Sequence, residues 1–237
     1  MEMQTFITED IDAAISEVAV LIDEATVAGP HWKRRDESRV WLQLVSCILG
    51  SAVRAEHARA ATDALANSGV LSQLQQNWRR SLVKDVIAIL SDPILDKGTG
   101  RTFRYRFPRS RGTSIHASAG LFYSPGRNGI SDALARFEDG AAARRWFTGS
   151  VPGIGPKQAS LFLRGIGYTT DLAVLDVHIL KYLRLHGHVT SGPPSSLRAY
   201  ETLEDHFRQR SSLLGLETGI LDYATWIVMR SLDHTVI

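Results

Sequence analysis

An amine and a carboxylate lie 19 residues apart in the most informative part of the sequence, residues 150–187. The amine is Lys157, which follows the turn Pro152-Gly153-Ile154-Gly155. The carboxylate is Asp176, which follows the apolar run Leu172–Leu175. An amine can attack an electron-poor carbon, and a carboxylate can accept its proton or stabilise positive charge. The pair therefore suggests nucleophilic or electrostatic catalysis.

The turn before Lys157 is typical of a helical hairpin that binds phosphate. Pro152, Gly153, Ile154 and Gly155 separate two predicted helices, and the second helix starts at Pro156, where a missing N–H costs nothing. The two glycines allow backbone N–H groups to project, and the helix N-terminus adds positive potential, so the turn can hold a phosphate. Ile154 is expected to point inwards. The alternative is a plain turn between two helices.

Lys157 is the second residue of the predicted helix, a position where the helix dipole disfavours a cation. A local rule that is broken in this way often marks a functional position. Two roles are open: Lys157 can act as a counter-charge to a bound phosphate, or its neutral amine can act as a nucleophile. The residue alone does not decide between them.

Asp176 is predicted to cap the helix that begins at Val177. Aspartate is common at this position because its side chain accepts hydrogen bonds from the first free N–H groups of the helix. This structural role would by itself explain the residue. The functional alternative places the carboxylate at the mouth of a cleft that faces the hairpin.

A basic segment lies at residues 101–111, where five arginines alternate with three aromatic residues and no acid is present. Such a segment can bind phosphates and stack on bases, and we predict that Arg106 and Arg111 contact phosphates or frame the cleft. The alternative is a solvated loop with buried aromatics. Charge is also uneven along the chain, because residues 1–32 hold seven acids and no lysine or arginine.

The composition excludes several classes of protein. The chain has 237 residues, of which 44% are hydrophobic and 22% charged, so disordered and collagen-like chains are excluded. No run approaches the roughly 18 apolar residues of a membrane span, and the acidic N-terminus does not resemble a signal peptide. The single cysteine, Cys47, excludes a disulfide framework and a CxxC zinc site. We expect a cytosolic protein.

Helical patterns dominate the chain and no sheet is predicted. An apolar repeat after Thr8, the expected cap, predicts the first helix. Ser131-Asp132 is expected to cap a helix that continues to Phe137. The other predicted helices cover 40–49, 56–66, 80–90, 140–147, 200–207 and 221–232, besides those that begin at Pro156 and Val177.

The hairpin with its lysine, the glycine loop at 165–167 and the run Leu175–Ile179 together resemble the helix-hairpin-helix, Gly/Pro…Asp superfamily of DNA glycosylases. Within it, the sequence is most similar to the 8-oxoguanine DNA glycosylases. The motif covers about 40 residues. A weaker likeness covers 40–180 and includes Tyr105–Arg111, which is similar to a segment of the compact prokaryotic members.

The resemblance implies an all-α fold with two helical lobes and a DNA-binding cleft between them. The first lobe would comprise residues 38–167, and the second 1–37 with 168–237. Asp176 would be the catalytic aspartate of the superfamily, and Lys157 the lysine of the members that also have AP lyase activity. His178 matches a position that is usually structural.

The resemblance also implies a monomer that acts on double-stranded DNA with a modified base, in the cytoplasm and nucleoid of a prokaryote. No cofactor is implied, although a monovalent cation could lie between the hairpin carbonyls and a phosphate.

The base that is removed is less well defined by the sequence. Ser51 lies where many members carry an amide that fills the hole left by the flipped base, and Tyr223 and Trp226 are candidates for stacking on that base. The sequence ends in Asp233–Ile237, where the compact prokaryotic members have a terminal lysine. This departure counts against 8-oxoguanine itself. The family resemblance nevertheless makes an oxidised purine the leading expectation. An alkylated or hypermodified base, removed without lyase activity, and a noncatalytic DNA-binding protein are the alternatives.

Overall fold

The computed structural model describes residues 2–23, 27, 31–188 and 192–235. Within these residues the chain forms twelve α-helices, a 3₁₀ turn at Trp32–Arg34 and a small two-stranded sheet. The helices are α1 (Glu2–Val20), α2 (Glu37–Leu49), α3 (Ala55–Asn67), α4 (Val70–Gln76), α5 (Leu82–Ser91), α6 (Pro108–Tyr123), α7 (Ile130–Leu134), α8 (Gly140–Ser150), α9 (Pro156–Gly165), α10 (Val177–Leu185), α11 (Leu197–Leu214) and α12 (Thr218–Thr235).

The chain divides into two compact units. The central unit comprises Trp32–Phe162, and the terminal unit comprises Met1–His31 together with Leu163–Ile237. The sequence prediction sets the two boundaries at 37/38 and 167/168, whereas the structure sets them at 31/32 and 162/163. Within the described part of the chain, no helix is both long enough and apolar enough to cross a membrane.

The expected helical class is confirmed, and most predicted helices lie inside observed ones. The predicted ranges 40–49, 56–66 and 140–147 lie within α2, α3 and α8. Those at 200–207 and 221–232 lie within the longer helices α11 and α12. The apolar spacing of each segment therefore predicted correctly that it is a helix, but the predicted helices were shorter than the observed ones.

The prediction that no sheet is present was wrong. Strands β1 (Pro93–Asp96) and β2 (Arg101–Arg104) pair antiparallel, with Ile94 opposite Phe103. The Asp96 carboxylate closes the turn, because it accepts hydrogen bonds from the backbone N–H of Gly98 and the hydroxyl of Thr99. Strands of four residues are too short to show a clear alternating pattern, which explains the error.

Helices α4 and α6 were missed. α6 begins at Pro108, inside the segment interpreted as a basic loop, and it buries Ile115, Ala119 and Phe122. One turn earlier Gly112 packs closely on α5, since an added Cβ would lie 2.7 Å from Ile87 Cγ1. A helix that packs partly through glycine and alanine carries a weak apolar pattern.

Two predicted caps were also wrong. α1 begins at Glu2, so Thr8 lies in its interior. α7 follows Gly129 rather than Ser131-Asp132 and ends at Leu134, before Phe137. A distant residue does the capping there: the Glu37 carboxylate accepts hydrogen bonds from Ile130 N, at 2.6 Å, and Ser131 N, at 3.1 Å.

The terminal unit contains a polar network beside its hydrophobic core. Asp12 of α1 accepts a 2.7 Å hydrogen bond from the Tyr182 hydroxyl and pairs with Arg210. His186 Nε2 lies 3.3 Å from the same carboxylate. Burial is the main cause that lowers the pKa of His186. Burial also lowers the pKa of His188, with further contributions from His206 and Arg210.

We predict that the free energy of unfolding falls as the pH is lowered from about 7.5 to 5.5. The pKa values of His186 and His188 in the folded protein lie below 6.5, the value for an unfolded chain. Below pH 6.5 the unfolded state therefore binds more protons than the folded state, and stability decreases towards the folded pKa values. Urea unfolding at several pH values measures this slope.

The variant His188→Gln should flatten the slope of the free energy of unfolding against pH, because it removes one of the two histidines whose pKa is lowered. His206→Gln should flatten it less, because it only removes a neighbour that contributes to the lowered pKa of His188. Equal slopes in the wild type and both variants would contradict this origin of the pH dependence.

Candidate active site and nucleic-acid interface

The predicted hairpin is formed by α8, α9 and the residues between them. Gly153 has φ +82°, and a Cβ at this residue would lie 2.9 Å from Ser114 Cβ and 3.3 Å from Ile48 Cγ2. The turn thus requires glycine for both conformation and space. Ile154 is buried, as predicted.

The turn of the hairpin carries two unpaired backbone donors. Among the residues described, neither the Gly153 N–H nor the Gly155 N–H donates a hydrogen bond within the protein. α9 begins directly afterwards at Pro156, as the sequence predicts, and adds the positive end of its dipole. The turn therefore has the geometry of an anion site.

Lys157 is the second residue of α9 and its side chain is exposed. Within the described part of the chain it makes no hydrogen bond or ion pair. Cys47 lies near enough for the Lys157 charge to act on it, but burial dominates and raises the pKa of the thiol to about 12. Cys47 is therefore a protonated core residue, whereas Lys157 presents an exposed amine.

The loop after α2 carries Ser51, and two residues of the basic segment hydrogen-bond to the backbone at this loop. The Tyr105 hydroxyl donates a 2.7 Å hydrogen bond to the Leu49 carbonyl, and Arg111 Nη2 donates to the Ser51 carbonyl at 3.4 Å. Ala52 has φ +60°, a left-handed conformation that is rare for a residue with a Cβ. The loop is thus fixed in a strained conformation.

Arg106 and Arg111 differ in their surroundings. Arg106 is exposed, with its guanidinium 4.8 Å from the centre of the Phe107 ring. Arg111 is half-buried, and it contacts the Ser51 carbonyl and Tyr105. The structure therefore gives Arg111 a part in holding the Ser51 loop, whereas Arg106 is available to an outside partner.

Asp176 caps α10, as predicted. One carboxylate oxygen, Oδ1, accepts hydrogen bonds from His178 N at 2.9 Å and Ile179 N at 3.0 Å. Within the described residues, Oδ2 accepts no hydrogen bond. The cap fixes the orientation of the half-buried carboxylate while one oxygen stays available for chemistry.

Aromatic side chains lie near the start of α10. Trp226 meets the His178 ring edge-on, with centroids 6.4 Å apart, and stacks with Tyr223 at 6.1 Å. The Arg230 guanidinium lies 4.8 Å from the Trp226 ring centre. Tyr223 packs partly against the core of the terminal unit, and Trp226 is half-buried. The structure thus places both predicted stacking residues and His178 in one cluster.

The predicted site residues are divided between the two units. The hairpin, Lys157, Ser51 and the two arginines belong to the central unit. The remaining predicted residues, Asp176, His178, Tyr223 and Trp226, belong to the terminal unit.

Sequence reasoning missed three buried polar residues that contact the chain just before Asp176. Tyr200, Glu204 and Asp222 bind backbone groups of residues 173–175. In the sequence, the only signal for these residues is that Tyr200 and Glu204 lie four residues apart, on a helical face that is otherwise apolar.

The fold and the hairpin define a helix-hairpin-helix DNA-binding protein, and comparison with known proteins gives the family. A family model described as 8-oxoguanine DNA glycosylase matches residues 95–216. The 8-oxoguanine DNA glycosylase/AP lyase of Korarchaeum cryptofilum is 25% identical over 197 residues, which are 83% of this chain and 82% of that protein. The Thermoplasma acidophilum protein of the same name is 37% identical over 125 residues, which are 52% and 56% of the two chains.

Solved structures agree in fold. The crystal structure of Methanocaldococcus jannaschii 8-oxoguanine DNA glycosylase superposes with a TM-score of 0.72 at 23% identity, covering 96% of this chain and 95% of that one. The same enzyme in complex with 15mer DNA containing 8-oxoguanine gives 0.65 at 24% identity, covering 95% and 91%. The chain belongs to the 8-oxoguanine DNA glycosylase family.

We predict that Arg106→Ala weakens DNA binding and reduces the slope of log Kd against log salt by about 0.9, the contribution of one phosphate contact. The matched control is Arg106→Lys, which keeps the charge and should keep the slope. Fluorescence anisotropy with a DNA duplex at several salt concentrations measures both. An unchanged slope in Arg106→Ala would exclude a phosphate contact.

We predict that Arg111→Ala acts mainly on stability. It removes the hydrogen bond to the Ser51 carbonyl, which as a charged donor contributes about 2 kcal/mol to the free energy of unfolding. Urea unfolding measures the loss. If Arg111→Ala instead changed the salt slope of DNA binding at unchanged stability, its main contact would be with DNA.

Proposed function

We propose that this chain excises an oxidised purine from double-stranded DNA, with 8-oxoguanine as the first candidate, and that it acts as a monomer. The observation that carries the proposal is the Asp176 carboxylate, one oxygen of which is fixed by two backbone N–H groups while the other is available. Asp176 also lies within the part of the chain that matches the family model. The names of its relatives suggest the substrate.

The role proposed for Asp176 is electrostatic. Base excision breaks the bond between C1′ and the base nitrogen, and the base leaves with the electron pair, so positive charge develops on the sugar. A fixed carboxylate beside the sugar stabilises this charge without having to reorganise. The same oxygen can accept the proton that an attacking amine or water loses.

The role proposed for Lys157 is nucleophilic. Its amine forms a bond to C1′ as the base leaves, and loss of its proton and opening of the sugar ring give a Schiff base. Removal of a proton from C2′ then expels the 3′ phosphate and nicks the strand. The amine is exposed and makes no ion pair in the described residues, so it is accessible to a bound sugar.

A flipped base needs an apolar pocket and partners for its edges. Trp226 and Tyr223 are the proposed stacking residues, because their rings stack with centroids 6.1 Å apart and both side chains are only half-buried. Arg230 over the Trp226 ring restrains that ring. An alkylated or bulky hypermodified base is the alternative substrate, and base release from different DNAs distinguishes them.

We predict that Asp176→Asn lowers the rate of base release by at least about 100-fold. Asparagine is also a good N-cap, so α10 should remain folded and DNA binding should persist. The assay incubates the wild type and the variant with duplexes containing 8-oxoguanine or alkylated bases and with phage DNA, and identifies released bases by mass spectrometry. Equal release by both proteins would exclude Asp176 from the mechanism.

We predict that borohydride traps a covalent complex between the protein and DNA, and that Lys157→Ala abolishes it. Borohydride reduces the Schiff base to a stable amine, so the adduct reports the nucleophile directly. The control is Lys84→Ala, which removes an exposed lysine of α5 and should trap as well as the wild type. Base release without any trapped adduct would instead indicate attack by water and a phosphate-binding role for Lys157.

A further inference from the structure

The segment that leads to Asp176 has no regular secondary structure, although much of it is buried. Residues 171–176 form neither helix nor strand, and Leu172, Ala173 and Leu175 are buried. Buried N–H and C=O groups need hydrogen-bond partners. In a sheet those partners would come from a neighbouring strand, but here they come from side chains.

Three side chains bind the backbone at consecutive residues. Glu204 Oε1 accepts from Ala173 N at 2.9 Å, and Asp222 Oδ2 accepts from Val174 N at 2.7 Å. The Tyr200 hydroxyl accepts from Leu175 N at 3.0 Å and donates to the Ala173 carbonyl at 2.7 Å.

We call Tyr200, Glu204 and Asp222 the backbone clamp. All three are buried, and Glu204 has no exposed surface.

Two arginines neutralise the carboxylates of the backbone clamp. Arg208 Nη2 lies 2.9 Å from Glu204 Oε2 and also donates to the Asp171 carbonyl. Arg164 Nη1 lies 2.7 Å from Asp222 Oδ1. Each carboxylate therefore uses one oxygen for the backbone and the other for an arginine.

Burying the carboxylates of two ion pairs costs free energy that an apolar core would not lose. Buried ion pairs are often no more stabilising than apolar side chains of the same volume, because each charge loses its hydration. Burial raises the pKa of Asp222, with the Arg164 charge acting in the opposite direction. Stability alone thus does not account for two buried carboxylates, one on α11 and one on α12, that bind consecutive amides of the same short segment.

We propose that the backbone clamp positions Asp176 for catalysis, and that Asp222 and Glu204 are positioning residues that do not contact the substrate. The inference rests on the proposed function, in which Asp176 stabilises the sugar. The clamp fixes residues 173–175 from one side and the cap on α10 fixes Asp176 itself from the other. A displacement of about 1 Å at a catalytic group can cost roughly 100-fold in rate.

The test compares two neutral replacements of Asp222. Asp222→Asn keeps an oxygen that can accept from Val174 N, and Asp222→Leu has a similar volume but no acceptor. Both remove the charge that pairs with Arg164, so the two variants differ mainly in the hydrogen bond to the backbone. Single-turnover base release should fall about 10- to 100-fold in Asp222→Leu, and Asp222→Asn should recover most of the rate. DNA affinity should be unchanged in both.

A second variant and a second measurement do not depend on that comparison. Tyr200→Phe keeps the ring and removes both hydrogen bonds, so it should lower the rate while the protein stays folded. Hydrogen exchange, read by NMR, should show that the Ala173, Val174 and Leu175 amides are protected in the wild type. The Leu175 amide should exchange at least about tenfold faster in Tyr200→Phe, in the range expected when a local hydrogen bond is lost.

Asp12→Asn is the control, since it disturbs a partly buried ion pair of the terminal unit that does not involve residues 171–176. It should lower stability without lowering the rate of base release at a temperature where the protein is folded. The proposal is overturned if Asp222→Leu and Tyr200→Phe release base at the wild-type rate while Asp176→Asn is inactive. Absence of base release by the wild type would instead contradict the proposed function.

Discussion

A buried stretch of backbone that forms neither helix nor strand is the constraint on which the position of Asp176 depends. Residues 171–175 must enter the core of the terminal unit to deliver Asp176 to the start of α10, and their amide groups must be satisfied there. Side chains from α11 and α12 satisfy them. The identity of residues 200, 204 and 222 is therefore tied to the position of a residue that is 24 or more positions away in the chain.

The hairpin of the central unit obeys a constraint of a different kind. There two backbone groups are left unsatisfied, since the N–H groups of Gly153 and Gly155 have no hydrogen-bond partner among the described residues. Gly153 makes this possible because its backbone is left-handed and packs directly on Ser114. The terminal unit thus satisfies its irregular backbone with side chains, whereas the hairpin turn of the central unit keeps two N–H donors unpaired among the described residues, which is the geometry of an anion site.

Structural features that depend on residues close together in the chain could be predicted from the sequence. The start of α9 at Pro156, the Asp176 cap and the inward position of Ile154 each follow from residues within a few positions of one another. The capping of α7 by Glu37 could not be predicted, because the two are more than 90 residues apart in the chain. Short strands and the glycine-rich α6 were missed since their patterns are weak.

The same distinction explains why only part of the candidate site was predictable. Lys157 and Asp176 stand in short motifs, and Tyr223 and Trp226 share one helical face, so type and spacing identify them. Glu204 and Asp222 look like ordinary exposed acids in the sequence, and only the folded chain brings their carboxylates onto consecutive backbone amides.

The spacing of Tyr200 and Glu204 on one helical face is a weak sequence signal, and it does not indicate which backbone groups the two side chains bind. The carboxylates of Glu204 and Asp222 lie on α11 and α12 and bind a non-helical segment next to a capped aspartate, an arrangement that only the folded chain shows. Because burying these charges is costly, stability alone does not account for them.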